Sequence, residues 1–97
     1  MGDAWVYMLR CADGSLYTGW STDVARRLRR HAAGKASRYT ASRLPVELVY
    51  SAAMANRTAA RREEARIKAL DRRAKLALIA KPPPERERDG VRGVLSA

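Results

Sequence analysis

Five residues of this chain have side chains of the types that hydrolysis of a phosphate ester requires. They are Tyr7, Tyr17, Arg27, His31 and Glu64. In such a reaction a water loses a proton, charge on the phosphate is stabilised and the leaving oxygen is neutralised. An arginine fork can hold the phosphate, and one carboxylate suffices for a Mg²⁺ or Mn²⁺ ion that keeps most of its waters. Glu64 is therefore the candidate metal ligand.

The base that would deprotonate the water is either Tyr7 or His31. A tyrosine has a reference pKa of about 10, and lowering it by about 3 units costs about 4 kcal/mol. A metal ion and a guanidinium nearby would act in that direction. A histidine has a reference pKa of about 6.5 and needs no such help. The residue types leave both candidates open.

Each of the five residues also has an ordinary structural explanation. Tyrosines in strands usually pack in the core, and arginines on helices are usually solvated. A histidine on a partly apolar face is more often a hydrogen-bonded structural residue. Glu64 can pair with Lys68, four residues later on the same helix face. Taken singly, none of the five residues makes a chemical role convincing.

The first two predicted elements form a β-hairpin. Residues 5–9 are continuously apolar, as in a central strand covered on both faces, and residues 16–20 form the second strand. Asp13-Gly14 marks the turn between them, and Gly19 indicates a bulge or a close approach of another backbone. With a two-residue loop, Tyr7 and Tyr17 would lie on opposite faces. A shared site therefore requires a three- or five-residue loop, or a bulge near Gly19.

The next element is predicted to be a helix that Ser21 or Thr22 caps and that ends at about residue 33, before Gly34. Its periodicity places Arg27 and His31 toward the sheet and the remaining arginines toward solvent. The residues predicted to form its core face are Val24, Leu28 and Ala32.

The rest of the chain alternates between loops, one strand and two helices. Residues 35–44 are predicted to be a polar loop, and residues 46–54 a third strand with Val46, Leu48 and Tyr50 on one face. A helix over about 57–70 follows, capped by Asn56 or Thr58, with Glu64 on its inward stripe. A third helix covers about 71–80. We expect one α+β domain over residues 1–81, with a three-stranded antiparallel sheet whose first strand is central, and a mobile charged tail over 82–97.

The net charge of +10 indicates an anionic partner, most often a nucleic acid. No apolar run is long enough to span a bilayer, and no secretory signal is evident, so we expect no membrane association and a cytoplasmic location. The single cysteine, Cys11, excludes a disulfide framework and a cysteine metal cluster. The residues predicted to contact DNA are Gly19, Arg26, Arg30, Lys35, Arg38 and Arg43.

The segments VY at 6–7, YTG at 17–19 and RRLRRH at 26–31, together with Glu64, resemble the GIY-YIG nuclease superfamily. The resemblance covers roughly residues 4–80 and is strongest to the small stand-alone bacterial branch. Trp5 stands where glycine is usual, and no asparagine follows the glutamate helix. The resemblance implies that Tyr7 acts as the general base or supports it, and that Tyr17 contacts the water or the phosphate. It implies that Arg27 binds the phosphate and that Glu64 binds the metal. His31 matches the histidine that many members carry on this helix.

The resemblance implies a metal-dependent endonuclease that hydrolyses phosphodiester bonds in DNA, in repair or processing. Without a second domain to read sequence, direct base readout should be poor, so single-stranded or branched DNA is favoured. A protein partner that supplies substrate specificity is a further expectation. Two alternatives stay open: a nucleic-acid-binding module of the same fold with little hydrolytic activity, and an adaptor whose basic face docks an acidic protein.

Overall fold

The computed structural model describes residues 4–81, and the predicted tail over 82–97 lies outside the described residues. The elements in chain order are β1 (Ala4–Arg10), β2 (Leu16–Ser21), α1 (Val24–Ala32), α2 (Arg38–Ala41), β3 (Glu47–Met54), α3 (Arg57–Lys68) and α4 (Arg72–Ala80). The strands form one antiparallel sheet in the order β2-β1-β3. The predicted α+β class and the central position of the first strand are confirmed. Within residues 4–81, no helix combines the length and apolar character needed to cross a bilayer.

Alternate residues of β1 enter two separate apolar clusters, one on each face of the sheet. Val6 and Met8 pack with Ile67 of α3, and the side chains of α4 extend this cluster. Tyr7 and Leu9 point to the other face and pack with Val24 of α1. Because both faces are covered, β1 can be apolar along its whole length.

The hairpin loop has an odd number of residues, as a site shared by Tyr7 and Tyr17 requires. Tyr7 pairs with Gly19, and Leu9 pairs with Tyr17, which leaves the five residues 11–15 between the strands. Both tyrosines therefore lie on the same face of the sheet, diagonal to each other. Gly14 takes a φ of +85°, a conformation that favours glycine in a tight turn. The predicted odd-numbered loop is confirmed, and the β1–β2 register runs past Gly19 without a bulge.

A β-bulge lies instead in β3, and it changes which side chains of this strand share a face. The register of β3 against β1 shifts between Met8, which pairs with Tyr50, and Leu9, which pairs with Leu48. Tyr50 consequently packs in the Val6–Met8 cluster, whereas Leu48 packs on the opposite face beside Tyr7. The prediction that Val46, Leu48 and Tyr50 share a face is wrong, because strict alternation holds only in a strand without an extra residue.

The helices differ from their predictions in three respects: the cap of α1, its buried face and the presence of a fourth helix. Asp23, rather than Ser21 or Thr22, caps α1, since its carboxylate accepts a hydrogen bond from the Arg26 amide. Ala32 is exposed and His31 is fully buried, because residue 31 lies closer than residue 32 to the direction of Val24 on a helix of 3.6 residues per turn. The short helix α2 also occupies part of the predicted polar loop, so the described residues contain four helices rather than three.

We expect substitution of Ile67 by alanine to destabilise the protein by about 2–5 kcal/mol, because it opens a cavity in a fully buried cluster. Leu76→Ala on α4 is the control: this leucine is 42% exposed, so its loss should change stability by less than about 0.5 kcal/mol. Urea unfolding followed by circular dichroism measures both variants. Equal losses would contradict the assignment of the core.

Candidate active site

The centre of the candidate site is a buried hydrogen bond between two residues that lie 24 positions apart in the sequence. The Tyr7 hydroxyl lies 2.8 Å from Nε2 of His31. On the other side of the imidazole, Nδ1 lies 2.9 Å from the hydroxyl oxygen of Thr40, which in turn contacts the Ser37 carbonyl at 3.3 Å. Tyr7 is 2% exposed, and His31 and Thr40 are fully buried. These hydrogen bonds thus connect β1, α1 and α2 in one polar network.

This network fixes the tautomer of His31. Thr40 has a single hydroxyl proton, and the Ser37 carbonyl can only accept it. The Thr40 oxygen must therefore accept the proton of His31 Nδ1. Nε2 then carries a lone pair, and the Tyr7 hydroxyl donates to it. The donors and acceptors are therefore assigned in one direction, from the Tyr7 hydroxyl through His31 and Thr40 to the Ser37 carbonyl.

Tyr17 completes an aromatic enclosure around His31. Its ring centroid lies 5.1 Å from that of His31, and the Tyr7 centroid lies 5.8 Å away, both in edge-on arrangements. Gly19, buried in β2, makes room for the Tyr7 ring: a Cβ at this position would lie 2.7 Å from the Tyr7 hydroxyl oxygen. A side chain, not another backbone, is therefore what comes close to Gly19. Its predicted contact with nucleic acid stays a prediction.

Arg27 lies next to Tyr7 on the solvent side of the network. The Arg27 guanidinium is close enough to lower the pKa of the Tyr7 hydroxyl, against the larger effect of burial. Its Nε atom is buried and has no hydrogen-bond partner in residues 4–81. The residue lines two adjoining surface cavities of about 330 and 340 Å³. A buried donor without a partner at the edge of a cavity suits an anionic ligand.

Glu64 lies on α3, and its negative charge contributes weakly to the raised pKa of the Tyr7 hydroxyl. Its carboxylate is 3.4 Å from the Lys68 ammonium, and its side chain is 22% exposed. The neighbouring Glu63 is held more firmly, with two short bonds of 2.6 and 2.9 Å to Arg66. Glu64 lines a cavity of about 450 Å³ that is separate from the two lined by Arg27.

Burial has the largest effect on the pKa values of the two candidate bases, Tyr7 and His31. It raises the pKa of Tyr7 to about 12, and the Arg27 guanidinium offsets only part of this rise. Burial, together with the charge of Arg27, lowers the pKa of His31 to about 4. At neutral pH Tyr7 is therefore protonated and His31 is neutral. The Arg27 guanidinium lowers the pKa of Tyr7 as expected, but desolvation raises it by a larger amount.

The predicted DNA-binding cations have different surroundings. Arg26 and Arg30 line a cavity together with Arg27. Lys35 and Arg38 are exposed. Arg43, in contrast, is already engaged: its guanidinium bonds the Asp13 carboxylate at 3.0 Å and lies 3.9 Å from the centre of the Tyr39 ring.

Two residues beside the site were missed by sequence reasoning. Thr40 forms a hydrogen bond with His31, and the only sequence signal for it is that it lies within residues 4–80, over which the chain resembles the nuclease family. Arg57, at the start of α3, lines a cavity together with Arg27. Nothing in its local sequence distinguishes it from the other arginines of this helix.

The structure brings Tyr7, Tyr17, Arg27 and His31 together, and Glu64 lines a neighbouring cavity on α3. A three-stranded sheet with two tyrosines on one face, a helix with an arginine and a histidine, and a later helix with a glutamate defines a GIY-YIG type of catalytic domain. The family model described as the GIY-YIG catalytic domain matches residues 3–77. The chain belongs to this family, which is a family of nucleases that act on DNA.

Its relatives include small proteins of similar length. A UPF0213 protein of Streptococcus agalactiae is 51% identical over 76 residues, which cover 78% of this chain and 86% of the relative. A UPF0213 protein of Natronomonas pharaonis is 46% identical over 78 residues, covering 80% and 92%. The solution NMR structure of the UPF0213 protein BH0048 from Bacillus halodurans matches with 42% identity and a TM-score of 0.55, covering 89% of this chain and 92% of that one.

We expect His31 to remain neutral and in the Nδ1–H form from pH 8 down to about pH 5. Because its pKa in the folded protein is about 4, below the reference value, folding stability should fall as pH drops from about 6.5 toward 4. The chain has one histidine, so ¹H–¹⁵N NMR of the imidazole reports on this residue alone.

The urea-unfolded chain is the internal control, and its imidazole should titrate near pH 6.5. Thr40→Val removes the Nδ1 acceptor and should change the tautomer signature, while Ser37 and the fold are left in place. A folded-state titration near 6.5, or an unchanged tautomer in Thr40→Val, would contradict the assigned network.

Proposed function

We propose that this protein is a divalent-metal-dependent endonuclease that hydrolyses phosphodiester bonds in single-stranded or branched DNA. Membership of the nuclease family supports the reaction class. The net charge of +10 and the exposed arginines around the site support binding to a polyanion. The small size of the domain favours recognition of DNA shape over base sequence.

The single observation that carries this proposal is the unpartnered Nε of Arg27. A buried guanidinium nitrogen without an acceptor costs free energy in the absence of ligand. A phosphate oxygen is a charged acceptor of the right geometry, and it would satisfy the donor at the cavity that Arg27 lines. This side chain would therefore hold the phosphate that is attacked and stabilise its developing charge.

The hydrogen-bond direction suggests how a proton could leave the attacking water. As the water oxygen bonds to phosphorus, its proton would pass to the Tyr7 oxygen, and the Tyr7 proton would pass to Nε2 of His31. The P–O bond of the leaving strand breaks, and the leaving oxygen takes a proton from solvent. Bound phosphate would neutralise the Arg27 charge, which is one of the two causes that disfavour the imidazolium. In this scheme Tyr7 contacts the water and His31 receives the proton.

Glu64 is suited to hold a hydrated magnesium or manganese ion. Its carboxylate has one loose ion pair, at 3.4 Å, and it borders a cavity. Residues 4–81 contain no group of three or more histidine, cysteine, aspartate or glutamate side chains that could hold a metal ion. A single carboxylate fits Mg²⁺, which keeps several waters and takes other ligands from a phosphate substrate. When bound, the ion would supply charge neutralisation at the phosphate.

We expect Glu64→Gln to reduce cleavage of labelled single-stranded and branched DNA by roughly 100-fold or more in Mg²⁺ or Mn²⁺, because the amide is a poor metal ligand. Glu63→Gln on the same helix is the matched control and should cleave like the wild type, since Glu63 bonds Arg66. Gel-resolved single-turnover rates measure both variants. Equal cleavage by all three proteins would contradict the metal assignment, and binding without cleavage in any metal would identify a binding module.

We expect Arg27→Ala to reduce the rate of the chemical step by roughly 100- to 1,000-fold at saturating DNA, since it removes a donor to the developing charge. Arg29→Ala, an exposed residue of the same helix, should change that rate by less than a few-fold. Single-turnover rates at several DNA concentrations separate binding from chemistry. An effect of Arg27→Ala on affinity alone would overturn its proposed role at the attacked phosphate.

A further inference from the structure

The two cavities beside Arg27 are parts of one groove. Both are lined by Ser21, Thr22 and Arg27, and they extend from these residues in different directions. One contains Arg26 and Arg30 of α1. The other contains an aromatic residue of β2, Trp20, and a cation from a distant part of the chain, Arg57 of α3.

Arg57 is in an electrostatically unfavourable position in the unliganded protein. It is the first residue of α3, where the partial positive charge of the helix end favours anions and disfavours cations. The first turn of α3 contains no acidic residue, and the side chain of Arg57 forms no hydrogen bond or ion pair within residues 4–81. An anion bound at this point would interact favourably with both the guanidinium and the helix end.

The same helix face leads from this groove toward Glu64. Arg57, Arg61 and Glu64 follow one another at intervals of four and three residues, so they lie on one face of α3. Arg57 lines the cavity shared with Arg27, and Arg61 lines the cavity that contains Glu64. A strand that has one phosphate at Arg27 would therefore meet Arg57 where it continues along α3.

We propose that Arg57 and Trp20 form a second subsite of the candidate active site. Arg57 binds the phosphodiester next to the one held by Arg27, and the Trp20 ring supports the adjoining base of a single strand. This inference rests on the proposed function, because it takes DNA as the ligand. The subsite makes the path of the strand run from α1 to α3. This path does not require Arg43, which is bound to Asp13 and Tyr39.

The test measures binding of a fluorescein-labelled 12-nucleotide single strand to the full chain in EDTA, at several salt concentrations. Arg57→Ala should weaken binding roughly 3- to 10-fold and reduce the magnitude of the salt slope by about 0.7, the value for one phosphate contact on a single strand. Arg57→Lys should retain most of the slope. Arg73→Ala on α4 removes the same charge from an exposed residue that lines none of the three cavities, and it should change neither quantity.

A second experiment measures the fluorescence of the Trp20 indole directly. The chain has two tryptophans, so Trp5→Phe leaves Trp20 as the only source of indole fluorescence, which the oligonucleotide should quench. Equal effects of Arg57→Ala and Arg73→Ala on affinity and slope, or no quenching, would overturn the subsite. Binding that requires Arg57 with no cleavage in any metal would refute the proposed nuclease activity and leave the subsite in place. Absence of any binding to DNA would overturn both.

Discussion

The hydrogen bond between the Tyr7 hydroxyl and His31 joins the sheet to the first helix inside the protein, where Tyr7 is 2% exposed and His31 is fully buried. Several other features are needed for it. Gly19 must lack a side chain so that the phenol can lie across β2. The hairpin loop must have an odd number of residues so that Tyr7 and Tyr17 share a face. Thr40 must hold the opposite edge of the imidazole, because an unpaired buried Nδ1–H would be costly.

The low polarity that surrounds this hydrogen bond also sets the charge state of the site. Burial makes the phenol harder to ionise and the imidazole harder to protonate, so the resting pair is neutral. The fixed positive charge next to it belongs to Arg27, whose Nε atom has no partner among the described residues. The site therefore combines a neutral, oriented proton pathway with a cation whose hydrogen bonding is incomplete. Such an arrangement is suited to an anion and not to a neutral substrate.

Much of the fold could be predicted because it depends on local patterns. The apolar run of β1 indicated a central strand. A common face for Tyr7 and Tyr17 required an odd-numbered loop or a bulge near Gly19, and the structure has a five-residue loop. The prediction of which β3 side chains share a face was wrong, because a single bulge reverses the alternation and leaves no signal in the hydrophobic pattern. The inward position of His31 was predicted correctly from the helical period, whereas Ala32 was wrongly assigned to the core face because it is apolar.

The sequence by itself determined the three strands, three of the four helices in residues 4–81 and the five residues that are candidates for the chemistry. It did so because strand alternation, helix periodicity and turn residues act over short distances along the chain. Only the tertiary structure decided that Thr40 orients His31, that Arg43 is bound to Asp13 and that Arg57 faces the same groove as Arg27. These relations join residues 9 to 30 positions apart, and they depend on how the elements pack around the sheet. No local pattern contains that information.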